Sequence, residues 1–271
     1  MSILYSIVLG IIQGLTEFWP ISSSGHLLIF HEILPLNLTD NLAFDTSLHL
    51  GTLLALLIYF YNDIIVYFQA FLKSLQKWEL KTDINQRLAW LILISVLPAG
   101  FFGYFFEAII TYYFRNILLA CLTLIIVGFL FLIAEKYTPK TQTLSSLNWT
   151  KSLFIGLAQV LALIPGVSRS GITIISGMAL NLKREEAARF SFLISIPIVF
   201  VAGAKKIFDL MQSGLNQEQI IVYALGFLTA AIFGYLAIKY LLNFLKNHSL
   251  NIFAYYRIIL GLLVLLYFML K

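Results

Sequence analysis

Six long apolar runs constrain this chain more than any other feature of its sequence. They cover residues 48–61, 88–106, 117–134, 190–204, 220–242 and 258–270. A membrane-spanning helix needs about 20 mostly apolar residues, and fewer where flanking side chains reach the interface. Only 11% of the 271 residues are charged, against about 25% in soluble domains, so they are too few to cover a water-facing surface. The chain is therefore predicted to be a polytopic helical membrane protein.

Lysine and arginine are concentrated in alternate connections between these runs. The basic connections are 62–87, 135–151, 181–189 and 239–251, whereas 31–43, 107–116 and 205–219 are poorer in Lys and Arg. The positive-inside rule places the basic group in the cytoplasm, so six crossings put both termini outside. The net charge of +5 thus indicates orientation and lipid contact, and we expect no nucleic acid partner.

Two further apolar stretches, around 3–30 and 152–180, are copies of each other. GIIQGLTEFWPISSSG (10–25) aligns with GLAQVLALIPGVSRSG (156–171) at an offset of 146, which matches Gln13 with Gln159 and Gly25 with Gly171. Because each stretch must enter and leave on one side, each is predicted to be a re-entrant helix pair. Three crossings separate the copies, so the second half is inverted. Inverted repeats place their site where broken helices meet near the membrane midplane.

The predicted fold class is therefore an all-α polytopic membrane protein, with six transmembrane helices plus two re-entrant helix pairs in an inverted repeat. Residues 1–271 form a single membrane domain, with repeat 1 at about 1–135 and repeat 2 at about 152–271. A weaker echo of the duplication is YFRNIL (113–118) against YYRIIL (255–260).

Chemically useful side chains lie at the first break. Gln13 and Glu17 are one helical turn apart and share a face, and Pro20 cannot continue their helix. The serine triplet of 22–24 and the glycine after it favour the start of a second helix. Free N–H groups at such a terminus bind anions, so this break is predicted to hold phosphate.

The second break repeats the pattern in PGVSRSG (165–171) and adds Arg169 and Thr173. An arginine at membrane depth needs a partner, and its fork of donors suits phosphate oxygens. A structural ion pair between Arg169 and Glu17 is compatible with this role. The carboxylate of Glu17 and the amide oxygen of Gln13, beside phosphates, also suit Mg²⁺ or Ca²⁺.

EFWPISSSGHL and LIPGVSRSGITI resemble the two signature motifs of the bacterial undecaprenyl-diphosphate phosphatase family, also called BacA or UppP. The resemblance implies an integral membrane enzyme that converts undecaprenyl diphosphate to undecaprenyl phosphate for cell-wall synthesis. It also implies bacitracin resistance, dependence on a divalent cation, and an outward-facing site in the bacterial plasma membrane. A third, less specific family segment is FDTSLHLGTL (44–53), in which Asp45 and His49 are one turn apart and are either structural or supporting residues.

The family motifs give three sets of site residues in this chain. The catalytic candidates are Glu17, Ser23, His26 and Arg169. The substrate-binding candidates are Ser22, Ser24, Gly25, Ser168, Ser170, Gly171 and Thr173, and the metal ligands are Gln13 and Glu17. Glutamine at position 13 is a neutral variant that weakens a two-carboxylate metal site. Either Ser23 or a water attacks the terminal phosphorus, with His26 as a rival nucleophile, and His26 or Glu17 handles the proton.

One competing function is an inverted-repeat transporter or flippase of a phosphorylated lipid, since broken helices are typical of transporters. Transport alone needs no nucleophile, and this disfavours it. The acid-phosphatase-like lipid phosphatases are excluded, because the chain has no Arg-Pro pair and Ile175 stands where that family needs histidine. The sequence leaves open the metal, the prenyl chain length and a homodimer.

Overall fold

The computed structural model describes residues 3–33, 41–213 and 216–270, and within these ranges the protein is all-α, without a β-strand. Twelve α-helices follow one another along the described chain. They are α1 (Ile3–Phe18), α2 (Ser23–Ile33), α3 (Asn41–Tyr59), α4 (Tyr61–Gln76), α5 (Ile84–Phe105), α6 (Glu107–Phe114), α7 (Ile117–Tyr137), α8 (Trp149–Val160), α9 (Arg169–Ala179), α10 (Arg184–Ser213), α11 (Gln217–Phe244) and α12 (Asn251–Leu270). Short 3-10 turns occupy Leu144–Ser146 and Leu161–Leu163.

Five of the six apolar runs lie essentially on one helix each, and the run 48–61 crosses from α3 into α4 at Phe60. In the described ranges, α5, α7, α11 and α12 are individually long and apolar enough to cross a membrane, and α3 with α4 forms a fifth candidate bent by 77°. The remaining run, 190–204, lies in α10, which has 30 residues but is not among these candidates. The all-α polytopic class is thus confirmed, whereas the count of six spans remains a prediction.

Both copies of the repeated stretch form a short helix pair: α1 with α2, and α8 with α9. The two pairs dock in equivalent ways, since α1 packs on α11 and α8 packs on α5. Glycine allows this close approach: a Cβ at Gly14 would lie 2.8 Å from the carbonyl oxygen of Ala230, and one at Gly156 would lie 2.6 Å from that of Ser95. Helices α1 and α8 therefore each pack closely against a long helix. The repeat boundaries and the inversion remain predictions.

Three of the basic connections meet at one end of the helix bundle. Glu135 accepts hydrogen bonds from the Arg184 guanidinium at 2.7 and 2.6 Å and from the backbone N–H of Leu250 at 2.8 Å. The Lys140 ammonium lies 3.8 Å from the same carboxylate. Connections 135–151, 181–189 and 239–251 therefore contact one another at this end of the bundle. Parts of the less basic connections 31–43 and 205–219 lie outside the described residues.

Candidate active site

The first break is set by Ser22, whose backbone adopts the left-handed region with φ of 75°. Helix α1 ends at Phe18, before Pro20, and α2 begins at Ser23. The Ser22 hydroxyl accepts the backbone N–H of Gly25 at 3.2 Å, and so caps α2. A serine at positive φ costs on the order of 1–3 kcal/mol and is typical of functional sites.

The second break repeats this geometry at its capping serine. Ser168 has φ of 73° and accepts the backbone N–H of Gly171 at 3.0 Å. The flanking hydroxyl pairs also correspond: Ser22 and Ser24 are 3.3 Å apart, and Ser168 and Ser170 are 3.1 Å apart. The offset of 146 in the sequence therefore aligns Ser22 with Ser168, which have similar φ angles and similar capping hydrogen bonds.

Glu17 joins the two breaks. Its Oε2 accepts the Ser23 hydroxyl at 2.6 Å and the Gln13 amide at 3.1 Å. Its Oε1 accepts the Arg169 guanidinium at 2.7 Å, across 152 positions of sequence. The Glu17 and Arg169 side chains are only 9% and 15% exposed, so solvent screens this ion pair little. The predicted acid, hydroxyl and cation thus come together around one carboxylate.

Two polar atoms of this cluster are buried and have no hydrogen-bond partner among the residues that the structure describes. They are Nη1 of Arg169 and Oε1 of Gln13. A buried donor or acceptor without a partner costs about 1–3 kcal/mol, so both atoms are available to a ligand. The arginine nitrogen offers a donor to a phosphate oxygen, and the amide oxygen offers a ligand to a hard cation.

A cavity of about 230 Å³ opens beside this cluster. Its lining comes from α2, from α3, from α6 and the residue after it, and from the second break. The lining residues are Ser24, Leu27, Leu28, Asp45, Thr46, His49, Ile110, Arg115, Leu163 and Pro165. The mixture of aliphatic and ionisable side chains suits a ligand with a polar head and an apolar tail.

The third family segment, on α3, contributes directly to the site. His49 Nδ1 lies 3.0 Å from Gln13 Nε2 and 3.5 Å from Glu17 Oε2. Asp45 accepts from His31 Nε2 at 3.0 Å and lies 3.9 Å from the Arg115 guanidinium. His49 therefore belongs to the Glu17 cluster, and Asp45 supports the wall of the cavity.

His26 faces away from the Glu17 cluster. Its Nδ1 is 2.7 Å from the Ser22 carbonyl oxygen and its Nε2 is 2.8 Å from the Tyr256 hydroxyl, with the two rings stacked at 5.7 Å. Because a carbonyl only accepts, Nδ1 carries the proton and Nε2 accepts from tyrosine. Both ring nitrogens of His26 are thus engaged outside the Ser23–Glu17 pair.

The remaining predicted binding residues take structural partners. Thr173 is buried, donates to the Arg169 carbonyl at 2.7 Å and lies 2.6 Å from the Ser191 hydroxyl. Ser170 donates weakly to the Trp19 carbonyl at 3.5 Å, whereas Ser24 is exposed and lines the cavity. Ser24 therefore faces the cavity, whereas Thr173 and Ser170 are engaged within the protein.

Sequence reasoning missed two residues of α12. Tyr256 holds His26, and the fully buried Arg257 donates to backbone carbonyls of both breaks, including Pro20 at 2.9 Å and Gly166 at 2.7 Å. The signal was present in YYRIIL, since an ionisable residue in an apolar helix marks a functional site by default.

A divalent cation fits this cluster only in part. No group of three His, Cys, Asp or Glu side chains that could hold a metal occurs in the described ranges. Gln13 and Glu17 provide oxygen ligands, and a hard cation completes its shell readily with phosphate oxygens and water. The chemistry of the donors therefore suits a cation that binds together with a phosphorylated ligand.

Comparison with known proteins gives one consistent answer. The sequence model of the family "Bacitracin resistance protein BacA" matches residues 6–263. The undecaprenyl-diphosphatase of Rubrobacter xylanophilus is 43% identical over 97% of both chains. The proteins of the same name from Thermomicrobium roseum and Halothermothrix orenii are 42% and 40% identical over 98% of both chains. The chain belongs to the bacitracin resistance protein BacA family.

Proposed function

We propose that this protein hydrolyses undecaprenyl diphosphate to undecaprenyl phosphate and inorganic phosphate. Its membership of the BacA family and relatives named undecaprenyl-diphosphatase support this activity. The reaction recycles the lipid carrier for peptidoglycan synthesis and confers bacitracin resistance. The observation that carries the proposal is the Ser23–Glu17–Arg169 chain of contacts, which joins an activated hydroxyl to an anion-binding cation.

The two breaks supply the binding groups for the diphosphate. The N-termini of α2 and α9 are the positive ends of helix dipoles, which favour negative charge. Arg169 adds a charged donor, because its Nη2 is held by Glu17 while its Nη1 has no partner in the described ranges. Donors fixed in advance stabilise the charge that develops on the transferred phosphoryl oxygens.

Ser23 is the nucleophile that the geometry favours. Its hydroxyl donates to Glu17 at 2.6 Å, so the carboxylate is placed to accept the proton during attack. The serine oxygen bonds to the terminal phosphorus, the bond from phosphorus to the bridging oxygen breaks, and undecaprenyl phosphate leaves with that oxygen. Water then hydrolyses the phosphoserine and releases inorganic phosphate. His26 serves this scheme by holding Ser22, since its ring bonds the Ser22 carbonyl.

We further propose Mg²⁺ or Ca²⁺ as the cofactor, held by Gln13 and Glu17 with oxygens of the diphosphate. The unpartnered Gln13 Oε1 supports this assignment. When bound, the cation would neutralise phosphate charge. The protein contributes the two side chains of Gln13 and Glu17, which lie one helical turn apart on one face of α1.

An outward-facing site in the bacterial plasma membrane is supported by the position of the cavity. Ile110 and Arg115, on the connection poor in basic residues, line it. Helix α7 separates this end from the Glu135 cluster, and its 21 residues extend about 30 Å. The cavity thus lies on the side opposite the basic connections. A homodimer stays a prediction, which the mass of the protein in detergent would test.

Phosphate release from undecaprenyl diphosphate by the purified protein in detergent, with and without Mg²⁺ or Ca²⁺, tests the function. We expect release that requires the cation. Folded protein that binds the lipid without releasing phosphate would contradict the hydrolase and favour a transporter of the same lipid.

A further inference from the structure

Arg257 on α12 is a buried cation without a carboxylate partner in the described part of the chain. Its side chain is fully buried, and its guanidinium donates to the carbonyl oxygens of Pro20 at 2.9 Å, Gly166 at 2.7 Å and Val167 at 3.0 Å. Its Nε also approaches the Leu124 carbonyl at 3.4 Å. A buried charge that meets only neutral dipoles is costly, so a reason beyond packing is needed for it.

The partners of Arg257 come from both breaks at once. Pro20 lies just before α2, whereas Gly166 and Val167 lie just before α9. A Cβ built on Gly171 would lie 3.3 Å from Nη1 of Arg257, so the guanidinium also borders the first turn of α9. One side chain therefore ties the two half-sites together and carries its charge beside them.

The other repeat uses its arginine differently. The motif echo matches Arg257 with Arg115, which is 38% exposed and faces the Asp45 carboxylate at 3.9 Å. Arg115 therefore has an anionic neighbour, and Arg257 does not. The charge of Arg257 is left to act on whatever anion occupies the breaks.

We infer that Arg257 is a positioning residue for the diphosphate headgroup. It holds the carbonyl-bearing segments of both breaks in register, and it supplies a positive charge behind the two helix termini. Arg257 does not touch the substrate in this role, and the inference rests on the proposed function. The bound diphosphate would supply a negative charge near Arg257, which has no carboxylate partner in the described part of the chain.

The test compares Arg257→Met, which removes the charge, with Arg257→Lys, which keeps the charge but has fewer donors. Arg87→Gln is the matched control, since Arg87 donates to the Ser145 carbonyl at 2.9 Å outside the site. For each purified protein, kcat and KM for undecaprenyl diphosphate and inhibition by inorganic pyrophosphate are measured, together with thermal unfolding. An inactive wild type would refute the proposed function, and not specifically this inference.

In an active wild-type background, we expect Arg257→Met to raise KM and weaken pyrophosphate inhibition at least tenfold. We expect Arg257→Lys to keep KM within about threefold of wild type while its kcat falls, because charge is retained and register is loosened. If Arg257→Met does not fold, Arg257→Lys decides. Unchanged KM in folded Arg257→Met, or a raised KM with unchanged kcat in Arg257→Lys, would overturn the inference.

Discussion

Gly166 is the position where the smallest substitution is expected to damage the site most. Its backbone has φ of 88°, and a Cβ added there would lie 2.1 Å from the Thr123 hydroxyl oxygen and 2.4 Å from the Ala120 carbonyl oxygen. Positive φ in a residue with a side chain costs about 1–3 kcal/mol, and overpacking a tight site costs about 1–3 kcal/mol more. We therefore expect Gly166→Ala to lower the free energy of unfolding by about 2–6 kcal/mol.

The clash also reaches the chemistry. Thr123 donates to the Pro165 carbonyl at 2.7 Å, and this segment leads into Ser168 and Arg169. Relieving the overlap must displace the segment, so phosphate release should fall together with stability.

The assay is thermal unfolding in detergent, followed by phosphate release well below the transition. Gly100→Ala, inside α5, is the matched control, because no described atom lies within 4 Å of a Cβ at Gly100. We expect a loss of at least about 5 °C for Gly166→Ala, and an unchanged or slightly raised midpoint for the control. Wild-type stability and activity in Gly166→Ala would refute the steric reasoning.

Three other substitutions address separate parts of the molecule. Ser23→Ala should lower phosphate release by at least about 10²-fold, with loss of acid-stable phosphoserine from the quenched wild-type reaction; a phosphohistidine trapped on this variant would instead identify His26 as the nucleophile. Gln13→Ala should raise the Mg²⁺ concentration for half-maximal activity about tenfold, and an unchanged value would exclude Gln13 as a ligand. Glu135→Gln should reduce stability by about 1–3 kcal/mol without changing KM, because its partners lie at the opposite end of α7; a raised KM would contradict that separation.

The sequence predicted the breaks well because their causes are local. Pro20 ends a helix through its own ring, and a serine cap needs only the backbone three residues ahead. For the same reason the offset between the repeats correctly paired Ser22 with Ser168. The ion pair of Glu17 and Arg169, which the sequence offered only as an alternative reading, is present at 2.7 Å.

Contacts between distant helices could not be predicted in this way. The placement of His26 against Tyr256 spans 230 positions, and the bond of Thr173 to Ser191 depends on how α9 packs against α10. The sequence shows that Arg257 is a charge in an apolar helix. Its carbonyl partners could not be predicted, because they depend on how the two breaks pack against each other. The number of membrane-spanning candidates also differs from the number of apolar runs, because α3 and α4 are bent relative to each other and α10 is not among the candidates in the described ranges.

A double-mutant cycle in phosphate release tests most directly whether the two breaks form one site. Glu17→Ala, Arg169→Ala and the combined variant are compared with wild type, using kcat/KM for undecaprenyl diphosphate. Residues that act as a unit are strongly non-additive, so a single site predicts that each single variant loses most of the activity and that the double variant is little worse than either. Losses that multiply in the double variant, or full activity in either single variant, would contradict a site shared by the two breaks.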